Sequence, residues 1–156
     1  MKPVVLPDRA STQEWGRRLG SLLAAGDLLV LTGGLGAGKT TLTQGIAEGL
    51  GVRGPITSPT FVIARVHPSL VGGPELVHVD AYRLDGALEL DDLDLDSDLD
   101  EAVTIIEWGS GLAEELSADR LELVIDVDTT TEERRITLIA NGARMHELIA
   151  QLEAKS

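Results

Sequence analysis

The sequence predicts an α/β fold, a mixed parallel and antiparallel central sheet with helices on both faces. Three observations predict it. Leu28-Leu29-Val30-Leu31 and Val103-Thr104-Ile105-Ile106 are unbroken runs of apolar or β-branched residues, as parallel strands buried on both faces require. Gly33-Gly34-Leu35-Gly36-Ala37-Gly38-Lys39-Thr40 follows the first run at once and fits the phosphate-loop pattern G-x-x-x-x-G-K-[ST] without a mismatch. Residues 61–66 and 75–79 flank the turn-rich stretch 67–74 and read as an antiparallel hairpin. Together these describe a single P-loop NTPase-like domain over residues 1–156, with 1–10 and 154–156 expected as flexible ends.

The elements follow in order. Ser11 and Glu14 have capping-box spacing and predict a helix whose apolar face is Trp15, Leu19, Leu22 and Leu23, stopped by Gly26. A strand over 28–32 leads into the loop, and Leu42, Ile46 and Leu50 then fall at helical spacing up to a stop at Gly51. Pro55 and Pro59 bracket an irregular link, after which comes the hairpin. A short helix over 85–93 gives way to an acidic run through Glu101. The second buried strand ends at Glu107, and a short helix is expected over 109–116. Strands over 121–127 and 135–140 are joined by a polar turn, and 142–154 forms an amphipathic helix with Met145, Leu148, Ile149 and Leu152 on one side.

Composition excludes several function classes. Thirteen basic against 26 acidic residues give a formal charge of −13, which argues against a chain that grips a nucleic-acid backbone by itself. There is no cysteine, hence no disulfide, zinc thiolate or thiol nucleophile. No apolar run is long enough to span a bilayer and no signal peptide is visible, so a soluble cytoplasmic domain is expected, without membrane partners.

The motif chemistry centres on the glycine-rich loop. Its glycines let backbone N–H groups converge on phosphate oxygens, and the positive end of the following helix adds to that field. Lys39 is placed to reach the β/γ-phosphates and the Thr40 hydroxyl to hold Mg²⁺. The chain has only Lys2, Lys39 and Lys155, so its one lysine away from the termini lies in this loop. A carboxylate at a neighbouring strand end is also required, and Glu107 and Asp80 are the two candidates: Glu107 for the metal, Asp80 for a water or an outer position. Ser58-Pro59-Thr60-Phe61 lies where switch loops sit, with hydroxyls able to sense the γ-phosphate. Of the aromatics Trp15, Phe61, Tyr82 and Trp108, three fall in or beside these polar motifs.

Taken in order, Leu35-Gly36-Ala37-Gly38-Lys39-Thr40-Thr41, Ser58-Pro59-Thr60-Phe61, His78-Val79-Asp80-Ala81-Tyr82-Arg83 and Ile105-Ile106-Glu107-Trp108 resemble the motifs of the bacterial TsaE (YjeE) family, over about residues 12–142. The resemblance implies an ATPase needed for threonylcarbamoyl modification of adenosine in tRNA, with TsaD and TsaB as protein partners and tRNA engaged only indirectly. It implies ATP (ADP after hydrolysis) with Mg²⁺ held by residues 36–41, and Thr40 and Glu107 at the metal. It further implies switch or coupling roles for Ser58, Pro59, Thr60, His78, Tyr82, Arg83 and Trp108, a catalytic or coupling role for Asp80, and places near the nucleotide for Thr12, Gly33 and Arg134. One departure is Gly34, where the family usually has Asp, a position outside the phosphate-cradling amides.

Hydrolysis that drives a partner complex is therefore the leading expectation. Lys39 would stabilise charge on the γ-phosphate, and Asp80 or Glu107 would align the attacking water. Arg83, Arg134 or a partner's arginine would serve as the finger, so the isolated chain is expected to be weakly active. A small-molecule kinase is one rival and would need an acceptor pocket. A nucleotide-dependent binding switch specific for guanine is another. That class normally uses Asn-Lys-x-Asp, whereas the one asparagine here, Asn141, is followed by Gly142-Ala143-Arg144. The alternating Asp92, Asp94, Asp96, Asp98 and Asp100 do not make a calcium loop, because the sixth and twelfth positions are Ser97 and Val103 rather than Gly and Glu. That stretch reads as a solvated acidic surface, with docking of a basic partner as the sharper alternative. His67 and His146 read as loop and helix-surface residues, and His78 as a residue that orients a neighbour.

Overall fold

The computed structural model describes residues 4–33, 39–52, 64–80, 102–107, 120–128, 130–131 and 133–154. Strands β1 (Val4–Leu6), β2 (Leu28–Gly33), β3 (Ala64–His67), β4 (Glu75–Asp80), β5 (Ala102–Glu107), β6 (Arg120–Val127) and β7 (Arg134–Asn141) form one sheet in the order β1-β7-β6-β2-β5-β4-β3. The inner four, β6, β2, β5 and β4, are mutually parallel, while β3, β7 and β1 join antiparallel. This is the expected mixed α/β architecture, with β2 in the middle.

Burial patterns explain the arrangement. All six residues of β5 and the first four of β2 are buried, because both faces of the sheet are covered at its centre. In β6, by contrast, Leu121, Leu123 and Ile125 are buried while their neighbours are not, the period-two signature of a strand covered on one face. The covered face carries α1 (Arg9–Leu22), α2 (Lys39–Leu50) and α3 (Ala143–Ala154), whose Trp15, Leu19, Leu42, Ile46, Met145 and Leu148 join Leu29, Leu31 and Ile105 in one core. On the opposite face Leu28, Val30, Val79 and Ile106 are also buried. The helices expected over 85–93 and 109–116 lie outside the described residues.

Helices α1 and α2 touch through glycines. A Cβ on Gly20 would stand 2.1 Å from the Ile46 carbonyl oxygen, and one on Gly49 would stand 2.1 Å from that of Arg17. Only a residue without a side chain permits so close an approach of two backbones. Since Gly45 meets Gln13 and Gly49 meets Arg17, residue numbers rise together along the contact and the helices run parallel. Glu48 reinforces it from outside, accepting from Arg17 Nε at 2.6 Å and Gln13 Nε2 at 3.1 Å.

Several local expectations need correction. Helix α1 begins at Arg9 with Asp8 as its cap, the Ser11 N–H donating to Asp8 Oδ1 at 2.8 Å. Glu14 pairs with Arg17 instead of closing a capping box. The helix stops at Leu23, whose N–H bonds to the Gly20 carbonyl, and Gly26 at φ 94° shapes the turn into β2. Val4–Leu6 forms an edge strand on β7, and α1 has begun by Arg9, where a flexible end was expected. His67 is a buried strand residue rather than a loop residue. Gly51 stands at φ 82° at the end of α2, as its sequence position suggested, whereas Gly142, expected as the first residue of the last helix, stands at φ 98° just before α3 begins at Ala143.

Candidate functional site

Parallel pairing brings the carboxyl ends of β2, β5 and β4 to one edge. Leu31 pairs with Glu107, and Glu107 pairs with Asp80, so the two strand-end carboxylate residues stand in adjacent register two residues from Gly33. In an open parallel sheet, ligands bind outside the carboxyl ends where neighbouring connections diverge. Here the divergence is at β2, flanked by β5 on one side and β6 on the other.

Lys39 opens α2 and is buried, with Nζ donating to the Gly33 carbonyl at 2.8 Å. Its charge is thus held over the last residue of β2, at the mouth of the loop. Thr40 is half-buried in the first turn, Thr41 is buried, and the Thr43 hydroxyl donates back to the Lys39 carbonyl at 2.8 Å. The N-terminus of α2 faces this edge, so the positive end of the helix dipole lies there.

The far side of the edge is built by β7 and α1. Arg134 pairs with Val127 of β6 and Leu6 of β1, placing it at the same edge, two strands from β2. Because β1 ends there, α1 starts there, parallel to α2, and brings a second helix N-terminus to the rim. Thr12 is fully buried and its hydroxyl donates to the Asp8 carbonyl at 3.1 Å. The Asp8 carboxyl is held below its ordinary value, first by the Ser11 N–H and to a smaller extent by the charge of Arg134. The structure therefore gathers Gly33, Lys39, Thr40, Thr41, Asp80, Glu107, Thr12 and Arg134 along one edge. Gly36, Ala37, Gly38, Ser58, Pro59, Thr60, Tyr82, Arg83, Trp108 and the acidic run lie outside the described residues.

Glu107 is the unusual group of the edge. It is 2% exposed, yet among the described residues no hydrogen bond reaches its carboxylate. Its one ion-pair neighbour there is the imidazole of His78, with Nε2 at 3.4 Å from Oε2, and His78 is itself fully buried. An isolated carboxylate is costly to bury, so its free lone pairs fit a cation with oxygen ligands. A hydroxyl at Thr40 and a carboxylate at Glu107 are the donor types Mg²⁺ takes beside phosphate oxygens and water. No helix among the described residues is long and apolar enough to cross a membrane.

Comparison with known proteins gives a consistent answer. The family model for the threonylcarbamoyl adenosine biosynthesis protein TsaE matches residues 6–136. The tRNA threonylcarbamoyladenosine biosynthesis protein TsaE of Streptomyces coelicolor is 62% identical over 136 residues, covering 85% of this chain and 92% of that protein. Its counterpart in Bacillus subtilis is 41% identical over 128 residues, covering 81% of this chain and 78% of that one. The crystal structure of Bacillus subtilis YdiB superposes with a TM-score of 0.79 at 32% identity, covering 98% of this chain and 94% of that structure.

Proposed function

The chain belongs to the TsaE family, whose place is in tRNA threonylcarbamoyladenosine biosynthesis, and from that premise we propose that it is a Mg²⁺-dependent ATPase supporting a TsaD–TsaB complex. The observation that carries the proposal is the pairing of a buried Lys39 on the Gly33 carbonyl with a buried, under-bonded Glu107 beside it in register with Leu31. The Lys39 ammonium already stands at the last residue of β2, where phosphate oxygens would offer it charge-assisted hydrogen bonds, the stronger kind.

In this reading residues 36–41 cradle the phosphates, Lys39 balances charge that grows on the γ-phosphoryl group, and Thr40 with Glu107 holds the cation. Mg²⁺, when bound, supplies neutralisation of the β- and γ-phosphate oxygens. Asp80, adjacent in register, orients the water. The formal charge of −13 suits a protein that works on another protein and leaves tRNA to it. Arg134 lies at the correct edge to meet the nucleotide, although across β6 from the loop strand.

Titration of the full chain with ATP and GTP in Mg²⁺ tests the nucleotide. Preference for ATP, weakened at least about tenfold by Lys39→Ala, is expected. A clear preference for GTP, or phosphoryl transfer to a small acceptor in place of phosphate release, would overturn the reading. Reconstitution with TsaD, TsaB and tRNA tests the coupling. Lys39→Ala and Glu107→Ala should fail to sustain repeated modification, and equal turnover by both variants and wild type would refute it.

A further inference from the structure

His78 and Glu107 sit on adjacent parallel strands, Glu107 two positions beyond the register partner of His78, Ile105. Residues two apart on a strand share a face, so the imidazole reaches Glu107 on the diagonal. Both side chains are almost fully buried, at 0% and 3%, and the Nε2–Oε2 separation is 3.4 Å. Neither ring nitrogen of His78 has a hydrogen-bond partner among the described residues. A polar ring buried in this way is a poor choice for stability, because leaving a donor unpaired costs more than an apolar ring of the same size. Its neighbours along β4, Val77 and Val79, are the apolar residues a buried strand ordinarily uses. Among the described residues, the ion-pair contact of the imidazole is the carboxylate beside it.

We propose that His78 is the positioning residue for Glu107: its imidazole, with Nε2 3.4 Å from Oε2, confines that oxygen to the core side and leaves Oε1 as the oxygen offered at the sheet edge. This rests on the assignment of Glu107 to the cation. Without the imidazole, the carboxylate rotates freely about its last torsion, which is soft and two-fold, and the orientation must be re-established at each binding event. Outer partners that orient a metal-binding group typically govern affinity by about 10–100-fold. Imidazole and carboxylate form the usual pairing for such orientation, here with the carboxylate as the oriented member.

The test titrates Mg²⁺ into the full chain bound to a fluorescent ADP analogue, with binding in EDTA and the thermal midpoint measured alongside. In His78→Leu, half-saturation should need about tenfold more Mg²⁺, while binding in EDTA and the thermal midpoint stay at or above wild type. His78→Gln, which carries a donor near the Nε2 position, should recover most of that loss. Glu107→Gln serves as the reference and should shift Mg²⁺ dependence at least as far. If Glu107→Gln shifts it and His78→Leu does not, the positioning role is wrong and the cation assignment stands. If Glu107→Gln leaves it unchanged, both fall. Equal losses in His78→Leu and His78→Gln, or a matching loss of binding in EDTA, would also overturn the positioning role in favour of plain packing.

Discussion

Two buried acid–base pairs stand at opposite edges of the sheet and are bonded in opposite ways. At the amino edge, Asp27 is 4% exposed and well bonded. Its Oδ2 accepts from the Ala24 N–H at 2.8 Å and from Arg144 Nη2 at 3.0 Å, and its Oδ1 accepts from Arg144 Nε at 3.2 Å. Arg144 spends Nη2 again on the Leu22 carbonyl at 3.0 Å, and the Asp27 hydrogen bond holds its pKa above the ordinary arginine value. One arginine thus ties α3 to the end of α1 and the start of β2. At the carboxyl edge, Glu107 is as deeply buried, and among the described residues its one ion-pair contact is with His78, at 3.4 Å. Equal burial with unequal bonding distinguishes the two: Asp27 accepts three hydrogen bonds within its clamp, and among the described residues Glu107 has the imidazole of His78 beside it.

Exchanging the two losses should break this contrast if it is wrong. Glu107→Gln should lower ATP hydrolysis at least about 100-fold, or about 2.7 kcal/mol of transition-state stabilisation. Its thermal midpoint should hold or rise, since a neutral amide is cheaper to bury than an under-bonded carboxylate. Asp27→Ala should do the reverse. Loss of the carboxylate strands the Ala24 N–H and one face of the Arg144 guanidinium. Arg144 is a third exposed and recovers some hydration, so about 2 kcal/mol is lost rather than the larger figure for a fully buried pair. For a chain of this length that lowers the midpoint by about 5 °C in calorimetry, with ATP affinity unchanged. Adding Arg144→Ala should cost less than its single-variant effect, because the pair acts as a unit.

A third variant joins the two edges. Gly20→Ala gains about 1 kcal/mol of helix propensity. It also drives a methyl group to 2.1 Å from the Ile46 carbonyl, a backbone atom that cannot turn aside. Overpacking of this kind costs about 1–3 kcal/mol, and the upper end applies where backbone is struck. The net loss should be about 1–2 kcal/mol in denaturant unfolding. Because α2 carries Lys39, nucleotide affinity should weaken together with stability. A stabilised Gly20→Ala with wild-type affinity would show that the helices separate without consequence for the edge.

How much of this was legible in the sequence depends on how local the signal is. Runs such as Leu28-Leu29-Val30-Leu31 announce buried strands, and the loop pattern fixes which edge Lys39 occupies. Glu107 was legible as the polar end of an apolar run. Its contact with His78 was not, since adjacency of β4 and β5 is a property of the sheet. Strand β1 escaped because three residues, Val4, Val5 and Leu6, carry too little periodicity, and their pairing partner lies 128 or more positions away. The helix contact did leave a trace, glycines four apart at Gly16 and Gly20 and again at Gly45 and Gly49, yet only the pairing of two such motifs gives it meaning. The cap was misplaced by three residues because Ser11 with Glu14 and Asp8 with Ser11 offer competing starts. Asp8 prevails because its carboxylate receives the Ser11 N–H while β1 pins the chain just before it.

That cap supplies the smallest effect and the finest test of the contrast, since Asp8 is an exposed carboxylate on the functional edge, fully served by its own helix. Its pKa lies below the ordinary 3.8, chiefly through the Ser11 N–H, with Arg134 contributing last. A group whose folded pKa is depressed adds stability above its unfolded value and loses it as pH falls through the folded value. Asp8→Asn retains a capping oxygen but does not titrate there. Wild type should therefore melt above Asp8→Asn at neutral pH, and the gap should close as pH falls below the ordinary carboxylate value and through the depressed folded one. Arg134→Ala should narrow the neutral-pH gap only slightly, and salt should remove that part alone, because screening weakens the exposed charge pair and leaves the short hydrogen bond. A gap that persists unchanged through acid pH would mean that the cap acts by shape rather than charge. Asp8 would then join Asp27 as a structural carboxylate, in contrast to the Glu107 assigned above to the cation.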